Sequence, residues 1–473
     1  MNTEELCWIP ATELARLVRT KDVSPVEIID AYLGRIERIN PRINAYCTVV
    51  AAQAREAAAE AEAAVRRGDQ LGPLHGVPFS LKDLTPSKGI RTTMGSKIFE
   101  HNIPEEDAVL VERLRGAGAI LLGKTNTPEF GCKPFTDNRL FGATANPWAL
   151  TRSAGGSSGG AAASVAAGLG PMAEGSDLAG SIRHPAAWCG VVGFKPTQGR
   201  IARYPNATAW NAMSSNGPIT RTVADAALMF SAMAGPDPRD PLALPHTGED
   251  WTSLPSQADV RGRRVAWTPD LGGAAAVDPA VASICRTATR AFTDLGCIMD
   301  EASPEIGNIR DSFLALNAGL RQATVGKYLD QWREEMDPIL VRRIEISRTL
   351  TAPDIGRAEV ERTAYHHRLR RFFEEYDLLL CPTTATTASP LDALLPKEIA
   401  GRTLRDHLDM LVLTYAFNFS GYPAISVPCG ATNDGLPVGL QIVGGWRQDA
   451  LVLKAAACFE RTAPWANLRP PLH

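Results

Sequence analysis

The stretch GSDLAGSIRHPA (residues 175–186) is the most informative part of this chain for both fold and chemistry. Ser181 follows Ala179 and Gly180, and a glycine beside a serine leaves the backbone N–H groups open to a substrate carbonyl. N–H groups in such a position can stabilise a developing oxyanion. A serine here could also simply cap the N-terminus of a following helix. Both interpretations stay open from this stretch alone.

A second informative stretch is AGGSSGG (154–160). A flexible linker is a poor interpretation, because a helix-forming alanine-rich run follows directly. A phosphate-binding turn lacks the Lys-Ser/Thr pair that completes a Walker A loop. The pattern G-x-S-x-G also fits the nucleophile elbow of a Ser-His-Asp esterase, but His366, His367 and His407 do not lie in evident loops after strands. By itself the cluster is equally compatible with a functional loop and a tight structural turn.

The third stretch, GVPFSLKD (76–83), alternates apolar residues with others and predicts a strand that ends near Lys82. Most lysines at strand ends point into water. A lysine held in a dry site would instead favour its neutral form and could act as a base. The residues around Lys82 do not decide between these two.

Composition excludes several classes of protein. The chain has 473 residues, 45% hydrophobic and 21% charged, which are ordinary values for a globular protein. Its net charge of −3 creates no overall field that favours nucleic acid or an anionic membrane. The uncharged segment 153–173 is long enough to span a bilayer, but it consists mainly of Gly, Ser and Ala and is too weakly hydrophobic. We therefore expect no nucleic-acid or membrane partner.

The nine cysteines are scattered and include no C-x-x-C pair, which argues against a disulfide framework and a zinc site. The N-terminus MNTEELCWIP carries acids where a signal peptide needs a basic start and an apolar run. Both features favour reduced thiols in a cytoplasmic protein.

Hydrophobic periodicity predicts an α/β fold. Residues 1–70 have a helical pattern, and from residue 71 short apolar strands alternate with helices. Residues 235–262 are rich in proline and polar residues, which favours a surface excursion. Residues 305–375 are mostly helical, and apolar strands return from residue 377. We expect one domain spanning residues 1–473, built around a single sheet.

These stretches together resemble the amidase signature family. The chain carries GGSSGG, the run at 175–186 and GVVGFKPT (190–197), with Ser181 placed 24 residues after Ser157. The likeness extends over nearly the whole chain, through these further segments: GPLHGVPFSLKD (72–83), GKTNTPEFG (123–131), NFSGYPAISVP (418–428) and GLPVGLQIVG (435–444). Within the family the sequence looks most similar to 6-aminohexanoate cyclic-dimer hydrolases and related bacterial amidases.

The resemblance implies a Ser–Ser–Lys triad with Ser181 as nucleophile, Lys82 as base and Ser157, in a cis peptide, as the bridge. It implies an oxyanion hole and supporting residues, and it implies no metal or organic cofactor. The oxyanion hole would consist of the N–H groups of Leu178, Ala179, Gly180 and Ser181. The supporting residues would be Ser158, Asp177 and Arg183.

The resemblance also implies one large, mixed, twisted sheet covered by helices on both faces. Residues 71–235 would form the signature core, and the variable helical region 305–415 would shape the substrate pocket. For the pocket wall we predict Phe130, Tyr415 and Phe417. The family often has a glycine where this chain has Ala179, which we take as a sign of an aliphatic-amide branch.

Three functions remain open at this point. The first is an amide hydrolase for small molecules that also accepts esters or carbamates, with a homodimer left open as its assembly. The second is the amidase subunit of a glutamine-dependent tRNA amidotransferase, which is disfavoured because residues 214–218 lack the acid typical of that subunit. The third is a Ser-His-Asp esterase, which rests only on the elbow pattern.

Overall fold

The computed structural model describes residues 2–472 and has one sheet of eleven strands at its centre. The strands of the described residues are β1 (Tyr46–Val49), β2 (Pro78–Lys82), β3 (Ile120–Thr125), β4 (Asp137–Asn138), β5 (Gly142–Ala143), β6 (Ala145–Asn146), β7 (Ala149–Ser153), β8 (Met172–Asp177), β9 (Val192–Lys195), β10 (Ser215–Thr220), β11 (Arg264–Trp267), β12 (Ile298–Glu301), β13 (Leu378–Pro382), β14 (Glu398–Ile399), β15 (Arg402–Thr403), β16 (Ala424–Ala431) and β17 (Pro437–Gly444).

The α-helices surround this sheet. They are α1 (Thr3–Leu6), α2 (Ala11–Arg19), α3 (Pro25–Ile43), α4 (Ala51–Arg67), α5 (Val109–Gly116), α6 (Gly159–Ala166), α7 (Arg183–Cys189), α8 (Val223–Met233), α9 (Pro279–Ala288), α10 (Arg290–Asp294), α11 (Ile309–Val325), α12 (Leu329–Trp332), α13 (Pro338–Ser347), α14 (Ala352–Glu375), α15 (Val412–Phe419) and α16 (Asp449–Thr462). No helix among the described residues is long and apolar enough to cross a membrane.

The large sheet is mixed. Its strand order is β1-β3-β2-β8-β10-β9-β16-β17-β13-β11-β12. β2 runs parallel to both β3 and β8, whereas β8, β10, β9, β16 and β17 form an antiparallel run. Helices α6, α7, α8 and α16 pack on these central strands, which are buried. The predicted α/β fold with one large mixed sheet flanked by helices is confirmed.

Local sequence signals explain where helix α3 begins. The Ser24 hydroxyl accepts a hydrogen bond from the Val26 N–H at 3.0 Å, and the Glu27 carboxylate accepts one from the Ser24 N–H at 2.9 Å. This reciprocal cap, with Pro25 at the first helical position, begins α3 where the sequence predicts a helix. The alanine-rich α4 also lies within residues 1–70, where the sequence predicts a helical pattern, and α3 packs against it.

Residues 235–262 are mostly exposed, in agreement with the predicted surface excursion, but they are anchored to the core at a few positions. They form no regular helix or strand, but Trp251, Leu254 and Val260 are buried. The Trp251 ring lies edge-on to Phe230 of α8, with ring centres 4.9 Å apart. The proline-rich composition therefore determines the irregular backbone, while three apolar side chains anchor the segment to the core.

Candidate active site

Three segments of the chain meet at one edge of the sheet. β2 ends at Lys82, and its parallel neighbour β8 ends at Asp177. Because the carboxyl ends of neighbouring parallel strands lie at the same edge, Lys82 comes close to the turn 178–182 that follows β8. α6, which packs on both strands, begins directly after Ser157 and Ser158. The fold thus brings together the three segments that the sequence singles out.

Lys82 is completely buried, with 0% of its surface exposed. Its Nζ donates hydrogen bonds to Ser157 Oγ at 2.6 Å and to Ser176 Oγ at 3.1 Å. Burial lowers the pKa of Lys82 to about 7, against the opposing influence of the Glu174 and Asp177 carboxylates. A substantial fraction of this lysine is therefore neutral near pH 7 and able to accept a proton.

Ser157 lies in a loop that requires glycine before it. The Gly156–Ser157 peptide bond is cis. Gly155 has a φ of +77°, in the left-handed region that favours glycine. A Cβ on Gly156 would lie 2.8 Å from the Phe135 backbone nitrogen. The glycines of this loop therefore serve backbone geometry and close packing.

Ser181 is half-buried and lines the same cavity as Ser157. Its carbonyl accepts a hydrogen bond from the Ser158 N–H at 3.1 Å. Within residues 2–472 its hydroxyl makes no hydrogen bond, so the expected bond between Ser157 and Ser181 is not formed. Catalytic hydrogen bonds are often long before substrate binds, so this arrangement is compatible with a relay.

A buried ion pair holds the turn that carries Ser181. The Arg183 guanidinium donates to both carboxylate oxygens of Asp177, at 2.9 and 3.1 Å, and neither side chain is exposed. Burial disfavours the charged carboxylate, but the adjacent Arg183 cation more than offsets this and holds the pKa of Asp177 well below its usual range. The side-chain oxygens of Asn418 and Gln441 accept two further hydrogen bonds from this guanidinium, at 2.6 Å each.

The predicted oxyanion hole needs one correction. The Gly180 N–H donates to Asp177 Oδ1 at 2.7 Å, so it is already occupied. The N–H groups of Leu178, Ala179 and Ser181 have no acceptor within the described residues. Only these three remain as candidate donors to an oxyanion. Asp177 uses the fourth N–H to shape the turn.

Gly180 is required for a different reason. Its φ is +113°, and a Cβ at this position would lie 2.3 Å from Thr414 Oγ1. The Thr414 hydroxyl donates to the Ala179 carbonyl at 2.8 Å. α15 thereby packs closely on the turn, and this approach leaves no space for a side chain.

The buried pair leads to a prediction about stability. Replacing Arg183 by methionine leaves the Asp177 carboxylate buried without its cation, so we expect a loss of about 3–5 kcal/mol in the free energy of unfolding. Chemical denaturation of the purified variant measures this loss. The matched control is Arg357→Met, which removes an exposed pair with Asp354 and should change stability little. An equal loss in both variants would contradict the assigned role of Arg183.

A cavity of about 250 Å³ opens beside Ser157 and Ser181. Phe130 lies in its wall, together with Leu178 and with Leu320 of α11. The structure does not place Tyr415 or Phe417 there, which corrects the prediction for these two residues. Both belong to α15, whose packing against the core buries them.

The surroundings of these two aromatics explain the difference. Tyr415 stacks on Phe313, with ring centres 4.7 Å apart, and borders another cavity. Phe417 is fully buried in the apolar core. A run of apolar residues in a helix marks a buried face, but it does not tell a core from a pocket wall.

Comparison with known proteins identifies the family. The amidase family model matches residues 27–453 of the chain. The chain belongs to the amidase family. An acylamidase from Rhodococcus erythropolis is 46% identical to it, over 99% of this chain and 98% of that protein. The family match and this relative together make the chain an amidase.

Solved structures show the same architecture. A bacterial aryl acylamidase of the amidase signature family superposes with a TM-score of 0.91 at 33% identity, covering 97% of each chain. 6-Aminohexanoate cyclic dimer hydrolase superposes with a TM-score of 0.89 at 33% identity, covering 98% of this chain and 99% of the other. The resemblance to that hydrolase is therefore confirmed at the level of sequence and fold.

The described lining of the cavity beside Ser157 and Ser181 contains no histidine in this amidase. His407 is buried and contacts Arg343, while His366 packs against Tyr422 and Trp446. His184 is buried close to the Gly155 loop, and burial lowers its pKa to about 3. The geometry therefore disfavours a Ser-His-Asp esterase.

Several residues at the site were not predicted from the sequence. Ser176 binds Lys82 and lines the cavity, and its position inside the 175–186 motif was the signal that could have identified it. Glu174 accepts hydrogen bonds from the Lys82 N–H and the Asn216 amide, at 3.2 and 2.6 Å. Thr414 and Arg321 come from distant helices, and no local pattern marks them.

Proposed function

We propose that this amidase hydrolyses a carbon–nitrogen amide bond through an acyl-enzyme on Ser181. The observation that carries this proposal is the buried Lys82, whose Nζ lies 2.6 Å from Ser157 Oγ on the cavity that Ser181 also lines. Serine is a weak nucleophile at neutral pH and needs a base to remove its proton. Lys82 has access to that proton through the hydroxyl of Ser157.

The first half of the reaction forms the acyl-enzyme. Ser181 Oγ attacks the amide carbonyl and gives its proton to Ser157, which passes its own proton to neutral Lys82. Ser157 can do both because a hydroxyl donates and accepts hydrogen bonds. As the tetrahedral intermediate collapses, the C–N bond breaks and the proton returns along the same route to the leaving nitrogen.

The second half of the reaction hydrolyses the acyl-enzyme and releases the carboxylic acid. Water attacks the ester on Ser181 and loses a proton to the same relay, and the Ser181 oxygen recovers a proton as the carboxylic acid leaves. In both tetrahedral intermediates the N–H groups of Leu178, Ala179 and Ser181 would face the oxyanion. Each such donor typically contributes about 3–4 kcal/mol in comparable sites.

The same route extends to esters and carbamates. Each of them has an acyl carbon that Ser181 can attack and a leaving group that takes one proton, so the chemistry of the relay is unchanged. We expect the cavity wall, which α11 helps to form, to select among acyl groups. This part of the proposal follows the prediction that region 305–415 shapes the pocket.

A second candidate function has support among the relatives. A glutamyl-tRNA(Gln) amidotransferase subunit from Moorella thermoacetica is 38% identical over 99% of each chain. A protein of that kind would depend on partner proteins, whereas a free-standing amidase would not. The identity to the acylamidase is higher, at 46%. We therefore propose the free-standing enzyme.

The test is a panel of amides, esters and carbamates given to the purified chain alone, with Ser181→Ala as the blank. The proposed enzyme hydrolyses at least the amides without any added protein. Turnover that appears only when partner subunits are added would favour the amidotransferase function. Equal hydrolysis by the Ser181→Ala variant would contradict the proposed nucleophile.

The lowered pKa of Lys82 leads to a prediction about pH. The neutral form is the base, and it predominates above the pKa of about 7. We expect kcat/KM to fall about tenfold per pH unit below 7 and to level off above it. Lys195 is also buried and its pKa is also lowered to about 7, so Lys195→Met is the matched control.

The Lys195→Met control shows which of the two lysines produces the acid limb of the pH profile. Lys195 does not line the cavity within the described residues, so its variant should keep the acid limb of the profile. Loss of that limb in Lys195→Met, or a flat profile in the unmodified enzyme, would contradict the role of Lys82.

Three further expectations stay predictions. A small-molecule amide substrate follows from the family and from the size of the cavity. A cytoplasmic location is supported by nine cysteines that form no disulfide among the described residues. The homodimer is left open.

A further inference from the structure

Two arginines line the catalytic cavity. They are Arg203, in the segment before β10, and Arg321 of α11. The described lining contains no aspartate, glutamate, lysine or histidine beside them. The cavity next to Ser181 therefore carries positive charge and no negative charge on its own wall.

The positive charge of Arg321 is less compensated by protein groups than that of Arg203. One terminal nitrogen of Arg321 donates to the Phe130 carbonyl at 2.8 Å, but its Nε is buried without a hydrogen-bond partner. No carboxylate of residues 2–472 lies within 4.0 Å of its guanidinium. Arg203 differs, because the Asp240 and Glu174 carboxylates act on it electrostatically.

The Arg321 side chain is half-buried with its Nε fully buried, and a partly desolvated guanidinium without a counter-ion is unfavourable. Removing a cation from water costs free energy, which an opposite charge or hydrogen-bond acceptors must offset. Burial accordingly lowers the pKa of Arg321. An anion would offset this charge, and the planar fork of arginine donors matches a carboxylate in two parallel hydrogen bonds.

We propose that Arg321 is a specificity-determining residue that binds a carboxylate of the substrate, separate from the amide bond that Ser181 attacks. This inference rests on the proposed function, since it takes Ser181 as the position of the scissile carbonyl. Arg203 adds a second positive charge on the same wall. The cavity of about 250 Å³ is small for an organic ligand site. The substrate class is therefore a small amide with a carboxylate, such as the monoamide of an aliphatic dicarboxylic acid.

A purely structural role for Arg321 makes a different prediction. Its bond to the Phe130 carbonyl ties α11 to the 129–131 turn, where a Cβ on Gly131 would lie 3.1 Å from Ser157 Oγ. Loosening this tie would disturb Ser157 whatever the substrate. Charged and neutral amides would then lose activity in the same proportion.

The experiment compares kcat/KM for monoamides of dicarboxylic acids with kcat/KM for neutral amides of equal chain length. The substrate pairs run from malonamate and propionamide, with three carbons, to adipamate and hexanamide, with six. We expect the unmodified enzyme to prefer the acid at one chain length by about 30-fold or more, mainly through KM. In Arg321→Gln this preference should fall to about threefold or less. Arg321→Lys should restore part of it. Arg342→Gln removes an exposed arginine outside the described cavity lining and should keep the preference.

The outcomes distinguish failure of the proposed carboxylate site from failure of the proposed amidase chemistry. No preference at any chain length, or a preference that survives in Arg321→Gln, overturns the carboxylate site while leaving the amidase chemistry intact. Failure of Ser181→Ala to stop turnover of the neutral amides overturns the proposed function instead. If Arg321→Gln does not fold, inhibition of the unmodified enzyme decides. Glutarate should compete with substrate and 1,5-pentanediol should not, and equal inhibition by both overturns the site.

Discussion

Replacing Ser181 by alanine is expected to lower kcat for amide hydrolysis by about 10⁴- to 10⁶-fold. Without this oxygen no acyl-enzyme forms, and only the binding of substrate and the backbone N–H donors remain. The variant should fold normally, because Ser181 is half-buried and its hydroxyl makes no hydrogen bond within the described residues. Steady-state kinetics with one good amide, together with a thermal melt, measures both effects.

Ser176→Ala is the matched control for this experiment. Ser176 also lines the cavity and its hydroxyl accepts a hydrogen bond from Lys82, but it is not the proposed nucleophile. We expect this variant to keep far more activity than Ser181→Ala. A Ser181→Ala enzyme that retains more than about one hundredth of the original kcat would show that another group attacks the amide.

The second large effect is expected for Lys82→Met. Methionine keeps the bulk of the buried side chain but removes the base, so kcat should fall by about 10²- to 10⁴-fold. The remaining activity should lose the acid limb near pH 7, because the group that titrates there has gone. A pH profile of kcat/KM for the variant measures this loss.

Lys124→Met is the control for the effect of removing a buried lysine. Lys124 is also fully buried, its Nζ donates to Ser87 Oγ at 3.0 Å, and burial lowers its pKa to about 8. Lys124→Met removes a buried lysine outside the described cavity lining and should affect stability more than chemistry. If both variants lost activity equally and kept the same pH profile, Lys82 would be a structural lysine and not the base.

The segments that form the candidate site could be predicted because each of them is local in sequence. Ser157, Ser181 and Lys82 each lie in a short motif, and the geometry of a strand end or a tight turn depends on neighbouring residues. The glycines of these motifs serve the backbone conformations and close approaches seen at Gly155 and Gly180. The α/β fold could be predicted for the same reason, from alternating strand and helix patterns.

Side-chain environments could not be predicted in this way. The burial that lowers the pKa of Lys82 depends on surrounding elements, and its influences include Glu174, Asp177 and Arg321 from across the chain. The occupied N–H of Gly180 depends on which way the Asp177 carboxylate points. Tyr415 and Phe417 have the composition of a pocket wall, but only the packing of α15 shows that they belong to the core.

The pocket depends on contacts between distant segments. Arg321 lies in α11, 140 residues after Ser181 in the sequence, yet both line one cavity. No periodicity or spacing in a single sequence relates two such positions. Substrate preference is therefore the property that is least predictable from the sequence.

The most direct test of the mechanism is to trap the acyl-enzyme. The enzyme is mixed with a slowly hydrolysed ester, quenched in acid after a few seconds, digested and analysed by mass spectrometry. We predict an added acyl mass on Ser181, in the peptide that contains residues 175–186, and no such mass in the Ser181→Ala variant. An acyl group on any other residue, or turnover with no acylated peptide under conditions that trap a known serine amidase, would contradict the proposed mechanism.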